Sequence, residues 1–211
     1  MPFAAGATLG IPCMTAWCCL FGDGTIAGRT VLVTGGAGAV GHYAVQLAKG
    51  GGARVIATVS SPVKAEQARL AGADLVIDYK TEDVVARTLA FTEQRGVDHV
   101  VDVDFGGNIA TTLKLMAVNS TIAVYATNGN RSPVVPMREL MEKCITLRTL
   151  VLYALPQPLL AAAQADILKW LAAGKRIHNI AGRYALSETA QAHLAVERGD
   201  KLGTVIVDCA R

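Results

Sequence analysis

The chain has 211 residues, of which 52% are hydrophobic and 18% carry a charge. This composition excludes an intrinsically disordered chain and predicts a large apolar core, in one large or two small domains. The formal net charge is +3, and the basic residues are scattered rather than clustered, so no nucleic-acid partner is expected.

An apolar segment, predicted to be helical, occupies residues 1–28, and its first 22 residues carry no charge. It lacks a basic region at its start, and Gly6, Gly10 and Pro12 interrupt the apolar run. These features argue against a signal peptide and against a membrane span, so no membrane association is expected. We predict that this segment is buried against the rest of the fold.

Residues 29–155 alternate strand patterns with helix patterns, which is typical of a parallel sheet covered on both faces. Right-handed crossovers then predict an α/β fold with a doubly wound parallel six-stranded sheet and helices on both faces. The predicted strands are Thr30–Val33, Arg54–Val59, Leu75–Ile77, His99–Val103, Thr121–Ala126 and Ile145–Leu152. The predicted helices are 39–49, 62–71, 82–91, 108–117 and 136–143.

The pattern changes over residues 156–211. A helix is predicted over 159–173, followed by an extended segment 177–184, a helix 187–197 and a strand 203–207. This part has too little apolar material to form a domain of its own. We therefore predict a C-terminal helix followed by a tail, rather than a separate domain.

The most informative motif follows the first predicted strand. Gly36, Gly38 and Gly41 have the G-x-G-x-x-G spacing of dinucleotide-binding Rossmann turns. In such motifs the first glycine permits the tight turn, the second lets the backbone approach a pyrophosphate, and the third lets the helix pack close to the strand. The phosphates bind at the N-terminus of the helix. The remaining alternative is a glycine-rich turn in another α/β protein.

The end of the second predicted strand indicates which nucleotide binds. NAD sites usually carry Asp or Glu there, where it binds the ribose 2′-hydroxyl. This chain has Ser60 and Ser61 followed by Lys64, and the first acid is Glu66. Hydroxyls and an ammonium favour a 2′-phosphate, so NADPH is the predicted cofactor. Alternatively, the serines only cap the next helix and the lysine is solvated.

Residues for acid–base or metal chemistry do not stand out. His42 follows the glycine motif and is expected to be a partly exposed helix residue, the alternative being that it faces a pyrophosphate. Asp102 and Asp104 are expected to cap a turn or contact ribose rather than to act as a catalytic pair. The histidines at 42, 99, 178 and 193 form no triad or ligand set. No catalytic residue is assigned, and no metal is predicted.

Cysteine use indicates the redox environment. The number is odd and no C-x-x-C pair occurs, so neither a disulfide framework nor a metal site is expected. Buried reduced thiols and a cytoplasmic location are predicted instead. The cysteines are Cys13, Cys18, Cys19, Cys144 and Cys209.

Several of these segments together resemble a known superfamily. They are Leu9–Pro12, Val31–Gly41, Gln46–Lys49, Ala71–Asp74, Ile77–Tyr79 and Gly203–Val207. They are similar to the medium-chain dehydrogenase/reductase superfamily, and most of all to its zinc-independent NADPH:quinone oxidoreductase branch, the zeta-crystallin-like group. The resemblance implies that residues 29–155 form the Rossmann NADPH-binding domain.

The resemblance also assigns binding roles to particular positions. Lys64 matches a lysine that binds the 2′-phosphate, and Tyr79 matches a tyrosine beside that phosphate. Arg198 and Lys201 lie near the position of a C-terminal arginine that joins this site in relatives. The matching phosphate-turn residues are Gly36, Gly38, Ala39, Val40 and Gly41, and the matching adenosine and nicotinamide positions are Val103, Ala126, Thr127 and Tyr153.

The implied activity is metal-independent transfer of hydride from NADPH to a quinone or an activated carbonyl. Two alternatives remain, a stand-alone NADPH-binding module without turnover and a zinc-independent enoyl or alcohol reductase. Relatives also carry a substrate domain ahead of this region, so the chain is expected to be the cofactor-binding portion. Segments 177–184 and 203–208 would normally complete the sheet of that absent domain. Relatives pair an edge strand across a two-fold axis, which implies a homodimer through residues 145–152.

Overall fold

The computed structural model describes residues 1–209. Six parallel strands form one sheet in the order β3-β2-β1-β4-β5-β6. The predicted doubly wound sheet is therefore confirmed, and its strand order reverses between β1 and β4. The strands are β1 (Thr30–Val33), β2 (Arg54–Val59), β3 (Leu75–Asp78), β4 (Val97–Asp102), β5 (Met116–Val124) and β6 (Thr146–Thr149).

Helices cover both faces of this sheet. Val31 and Val33 of β1 belong to the apolar cluster on one face, whereas Leu32 belongs to the cluster on the other face. Strand residues thus alternate between two buried layers, as a sheet covered on both sides requires. The helices are α1 (Phe3–Gly6), α2 (Met14–Phe21), α3 (Ala39–Gly50), α4 (Pro62–Leu70), α5 (Val84–Phe91), α6 (Phe105–Leu115), α7 (Met137–Glu142), α8 (Gln157–Ala172) and α9 (Thr189–Glu197).

Some element boundaries differ from the prediction for local reasons. α5 begins at Val84 because the Asp83 side chain caps it, its Oδ1 accepting from the amides of Val85 and Ala86 at 2.8 and 3.0 Å. β5 begins at Met116, five residues before the predicted start, and its pairing with β4 contains an irregularity. Asn119 lies in this stretch with a φ of 59°, which interrupts the strand pattern that the sequence shows.

The apolar N-terminal segment packs into the core. A π-helical turn, Leu9–Cys13, leads into α2, which buries Trp17, Cys18 and Leu20 in the cluster shared with α3 and α8. The carbonyl of Cys19 is 2.9 Å from Nε2 of His99 on β4. The expected burial of this segment is confirmed for α2. Among the described residues, no helix is long and apolar enough to cross a membrane.

The tail forms a small second sheet beside the first. β7 (Ile180–Ala185) and β8 (Thr204–Asp208) pair in parallel, and α9 packs against both strands. A single bridge links Gly203, just before β8, to Gly38, just before α3. The amide of Gly203 donates to the carbonyl of Ala37 at 3.1 Å. The tail therefore contacts the glycine turn directly.

Candidate functional site

The glycine turn joins β1 to α3. Gly35 has a φ of 66°, so the left-handed residue lies one position before the first glycine of the predicted motif. The amide of Gly36 donates to the Thr58 carbonyl at 2.9 Å, and the amide of Gly38 donates to the Gly35 carbonyl at 2.9 Å. The first bond fixes the turn to β2, and the second closes it. Gly35 thus permits the tight turn that the sequence analysis attributed to Gly36.

Two motif glycines are required by close packing. A Cβ on Gly36 would lie 2.7 Å from the Cβ of Ala57, and a Cβ on Gly41 would lie 2.2 Å from the Gly35 carbonyl oxygen. Both distances are shorter than van der Waals contact allows. Gly36 and Gly41 therefore shape the turn, while Gly38 is the N-cap residue that precedes α3.

The N-terminus of α3 faces a cavity of about 430 Å³. The first amides of a helix have no partner within it, and they carry a partial positive charge that favours anions. Seven predicted residues line this cavity, namely Gly38, Ala39, Val40, Ser60, Lys64, Tyr79 and Val103. Lys201, which was predicted only near the site, also lines the cavity, and the lining residues that were not predicted are Gly35, Ala37, Val59, Tyr125, Asn128 and Gly199.

A second cavity, of about 540 Å³, lies beside the first and shares Gly35, Tyr79 and Val103 with it. Its lining continues to Thr34 at the end of β1 and Asn108 on α6. The two cavities therefore lie at the carboxyl ends of the strands, where the strand order reverses. Dinucleotides bind at this place in doubly wound folds.

One corner of the first cavity is positively charged. Nζ of Lys64 donates to Oγ of Ser60 at 3.1 Å, and Nζ of Lys201 donates to the Gly203 carbonyl at 2.9 Å. Burial, and secondarily the nearby Lys64 ammonium, lower the pKa of Lys201. Within residues 1–209 neither lysine forms an ion pair with a carboxylate. Ser61 caps α4, its Oγ accepting from the Lys64 amide at 3.4 Å, and does not line the cavity.

Besides Gly36, Gly41 and Ser61, four further residues from the sequence analysis line neither cavity. Thr127 accepts from the Gly106 amide at 3.1 Å and donates to the Asn130 carbonyl at 2.7 Å, which closes the loop after β5. The others are Ala126 in the same loop, Tyr153, which is 77% exposed in a short 3₁₀ turn, and Arg198, which lines a separate cavity in the tail.

Asp102 and Asp104 organise the turn that follows β4. Oδ1 of the buried Asp102 accepts from Thr34 Oγ1 at 2.9 Å, from the Asp104 amide at 3.0 Å and from Asn108 Nδ2 at 2.7 Å. Oδ1 of Asp104 accepts from the Gly129 amide at 2.9 Å. Both carboxylates thus join neighbouring loops at the carboxyl edge, in agreement with the expected role in a turn.

His42 differs from both expectations. It is 1% exposed, so the prediction of a partly exposed helix residue is wrong, and it does not line the phosphate cavity. Its Nε2 lies 3.0 Å from the Ile177 carbonyl, and its Nδ1 lies 3.1 Å from Nδ2 of Asn179. The tail covers this face of α3, and burial lowers the pKa of the imidazole. The tail residues that it contacts lie more than 130 positions away, so local sequence could not reveal them.

The cysteines divide into two groups. Cys13, Cys18 and Cys19 are buried as predicted, and burial raises the pKa of the Cys13 thiol to about 12. Cys144 and Cys209 are exposed, so the prediction of buried thiols is wrong for these two. Cys144 lies just beyond α7 and Cys209 just beyond β8, where the sequence pattern does not distinguish a covered thiol from an exposed one.

Comparison with known proteins defines the family. A family model described as zinc-binding dehydrogenase matches residues 39–172, which run from the start of α3 through β2–β6 to the end of α8. The chain belongs to this family. The description of the family mentions zinc. Within residues 1–209, however, no group of three or more His, Cys, Asp or Glu side chains lies close enough together to bind a metal ion. No step of the chemistry is therefore assigned to zinc here.

The relatives support the quinone oxidoreductase branch of the medium-chain superfamily. Prostaglandin reductase 1 of Bos taurus is 30% identical over 208 residues, covering 95% of this chain and 63% of the relative. The quinone oxidoreductase of Pseudomonas syringae superposes with a TM-score of 0.88 at 28% identity, covering 98% of this chain and 65% of that one. The Escherichia coli quinone oxidoreductase complexed with NADPH has a TM-score of 0.87 at 25% identity, with 98% and 65% coverage.

These comparisons confirm the resemblance that the motifs indicate. They also show that the chain spans less than two thirds of the length of each of these relatives. The matched part is the nucleotide-binding part of the fold, together with the tail that contacts it.

Proposed function

We propose that this chain is the NADPH-binding part of a metal-independent oxidoreductase that transfers hydride to a quinone or an activated carbonyl. The observation that carries the proposal is the positive corner beside Ser60. The Lys64 ammonium donates to the Ser60 hydroxyl, Lys201 lines the same cavity, and no acid follows β2 where NAD sites carry one. A carboxylate would repel a 2′-phosphate, whereas these groups donate charge-assisted hydrogen bonds to it.

The binding mode follows from the geometry of the turn. The pyrophosphate accepts from the free amides at the start of α3, beside Gly38 and Ala39. Lys64, Ser60 and Lys201 bind the 2′-phosphate at the far end of the cavity. The adenosine occupies the neighbouring space between Tyr79 and Asn108. When bound, the nucleotide supplies the hydride, and the chain orients it at the carboxyl edge of the sheet.

The remaining predicted positions belong to the nicotinamide end in this proposal. Ala126 and Thr127 follow β5, and Tyr153 follows β6, so all three lie beyond the carboxyl ends of parallel strands. Hydride transfer depends on placing the donor carbon against a flat acceptor, so positioning contributes more than proton transfer. No residue is assigned as an acid or base.

Binding of the two nicotinamide nucleotides tests the cofactor assignment. Fluorescence titration of the chain is expected to show tighter binding of NADPH than of NADH. Lys64→Ala is expected to weaken NADPH binding about tenfold and to leave NADH binding unchanged, because it removes one charge-assisted hydrogen bond to the 2′-phosphate. Lys169→Ala, an exposed lysine on α8, serves as the control. Equal affinities, or an unchanged preference in Lys64→Ala, would contradict the assignment.

Two other functions share the same cofactor site. The incomplete coverage of the relatives supports a binding module without turnover, and the prostaglandin reductase relative supports an enoyl or alcohol reductase. A steady-state assay of NADPH oxidation with a simple quinone, an enone and an aldehyde separates them. Quinone turnover by this chain supports the oxidoreductase, turnover with the enone alone supports the reductase, and no turnover with tight binding supports the module.

We also propose a homodimer and a cytoplasmic location. β6 is the edge of the sheet, and the exposed apolar side chains of Met141 and Val151 flank it. A second copy pairing with this edge would cover both the strand and these side chains. The free cysteines among residues 1–209 support a reducing compartment.

A further inference from the structure

Two side chains on one face of α3 bind the start of the tail. Nε2 of Gln46 donates to the Ile177 carbonyl at 2.9 Å, and Oε1 of Gln46 accepts from the Ile177 amide at 3.1 Å. Nε2 of His42 lies 3.0 Å from the same carbonyl and 3.0 Å from Nε2 of Gln46, and because a carbonyl only accepts, we assign the ring proton to this nitrogen. Residues four apart lie on the same helix face, so the two side chains act together. Nδ1 of His42 accepts from Nδ2 of Asn179 at 3.1 Å. Both nitrogens of one buried ring therefore contact the segment before β7.

This segment in turn fixes the approach to β8. The carbonyl of Asn179 accepts from the Thr204 amide at 2.9 Å. Gly203 has a φ of 88°, and a Cβ at this position would lie 2.2 Å from that carbonyl. The amide of Gly203 donates to Ala37 in the glycine turn at 3.1 Å. The backbone at 203–204 is thus bound between the tail segment and the turn.

The same backbone carries the second lysine of the cavity. Nζ of Lys201 donates to the carbonyl of Gly203 at 2.9 Å, and both Gly199 and Lys201 line the cavity. A continuous series of contacts therefore runs from His42 through Asn179 and Gly203 to the Lys201 ammonium. His42 itself does not reach the cavity.

We infer that His42 is a positioning residue for the 2′-phosphate corner, because it binds the tail segment that holds Lys201 over the nucleotide site. The inference rests on the proposed NADPH function. It deepens that function by assigning part of the cofactor preference to a side chain that touches no part of the cofactor. Burial lowers the pKa of this imidazole, which keeps the ring neutral, with one donor for Ile177 and one acceptor for Asn179.

Nucleotide binding separates positioning from a general structural role. His42→Ala is expected to weaken NADPH binding about tenfold and to leave NADH binding within a factor of two, because only the 2′-phosphate uses Lys201. His99→Ala is the matched control, since His99 is also a buried histidine whose Nε2 lies 2.9 Å from a backbone carbonyl, that of Cys19. It is expected to lower stability without changing the ratio of the two affinities.

Amide hydrogen exchange in the nucleotide-free chain tests the structural step. The Gly203 and Thr204 amides donate within the bound tail, so they are expected to exchange at least tenfold faster in His42→Ala and at an unchanged rate in His99→Ala. His42→Gln retains an amide donor that can reach the Ile177 carbonyl, and it is expected to restore part of both the protection and the NADPH preference.

The outcomes are distinct. Equal weakening of NADPH and NADH in His42→Ala, an unchanged preference, or unchanged exchange at Gly203 would each overturn the role of His42 while leaving the proposed function intact. A wild-type chain that does not distinguish NADPH from NADH would instead refute the proposed function, and the assignment of His42 with it. Loss of preference in His42→Ala, with its retention in His99→Ala, supports both.

Discussion

Individual atoms decide the shape of the nucleotide site. At the turn after β1, Gly41 approaches the Gly35 carbonyl so closely that one methyl group cannot be accommodated. At the end of β2, the hydroxyl of Ser60 and the ammonium of Lys64 replace the acid that would bind an unphosphorylated ribose. The first feature lets the start of α3 pack against the turn, and the second is proposed to decide which nucleotide binds.

A glycine substitution tests the turn. Gly41→Ala would place a Cβ 2.2 Å from the Gly35 carbonyl oxygen, so the turn must open. We expect a loss of about 1–3 kcal/mol in the free energy of unfolding and loss of detectable nucleotide binding. Gly10→Ala is the control, because its Cβ would meet no atom within 4 Å. Urea denaturation and NADPH titration of both variants measure the effects, and a Gly41→Ala chain that binds NADPH like the wild type would contradict this account.

Thiol accessibility is a second prediction at this scale. Burial raises the pKa values of Cys13, Cys18 and Cys19, whereas Cys144 and Cys209 are exposed. The thiolate is the reactive form, so a colorimetric disulfide reagent is expected to modify two thiols rapidly in the folded chain. The other three are expected to react only in denaturant. Rapid reaction of a third thiol under native conditions would contradict the buried packing of α2.

Local sequence indicated some site residues and not others. Ser60 directly follows β2, Tyr79 directly follows β3, and Lys64 lies in the first turn of α4, so strand prediction places all three near the carboxyl edge. Lys201 reaches the cavity only because the tail crosses the turn, and the sequence does not show that contact. Long-range contacts of this kind were also the reason why the environment of His42 was predicted wrongly.

At the scale of elements, the sheet was predictable and the position of the tail was not. Strand and helix patterns alternate strongly through residues 29–155, and right-handed crossovers leave few arrangements for them. β7 and β8 form their own parallel pair, and the residue before β8, Gly203, forms a bridge with Gly38 in the glycine turn. Docking of this pair depends on the side chains of α3 at positions 42, 43 and 46, which contact the tail. The periodicity of the sequence does not reveal these contacts.

The edge strand β6 gives a prediction about assembly. If two copies pair through this edge, Thr149→Lys would bring two like charges together across the two-fold axis and shift the chain toward monomer. Leu168→Lys makes the same charge change at an exposed position of α8 and is expected to leave the dimer intact. Light scattering at micromolar concentration measures both, and a monomeric wild-type chain would contradict the proposed dimer.

Across the whole molecule, stability depends on histidines that the fold keeps neutral. Burial lowers the pKa of His99 to about 4 from 6.5, and burial also lowers the pKa values of His42 and His178. The unfolded chain takes up protons on these rings near pH 6.5, before the folded chain does. The folded state is therefore most stable above pH 6.5 and loses stability as the pH falls from there toward 4.

Denaturation at several pH values measures this loss. The urea midpoint is expected to fall between pH 7 and pH 4.5, and His99 alone contributes about 3 kcal/mol over its full range. His99→Gln, which does not titrate, is expected to flatten the pH dependence, although its stability at pH 7 is lower. A wild-type midpoint that stays constant from pH 7 to pH 4.5 would contradict the buried, neutral state of these rings.

The central claim is that a 2′-phosphate binds between Ser60, Lys64 and Lys201. Calorimetric titration with adenosine 2′,5′-bisphosphate and with AMP tests it most directly, because the two ligands differ only in that phosphate and neither needs a nicotinamide site. The bisphosphate is expected to bind at least about tenfold more tightly, and Lys64→Ala is expected to remove most of the difference. Equal affinities for the two ligands in the wild-type chain would contradict the account.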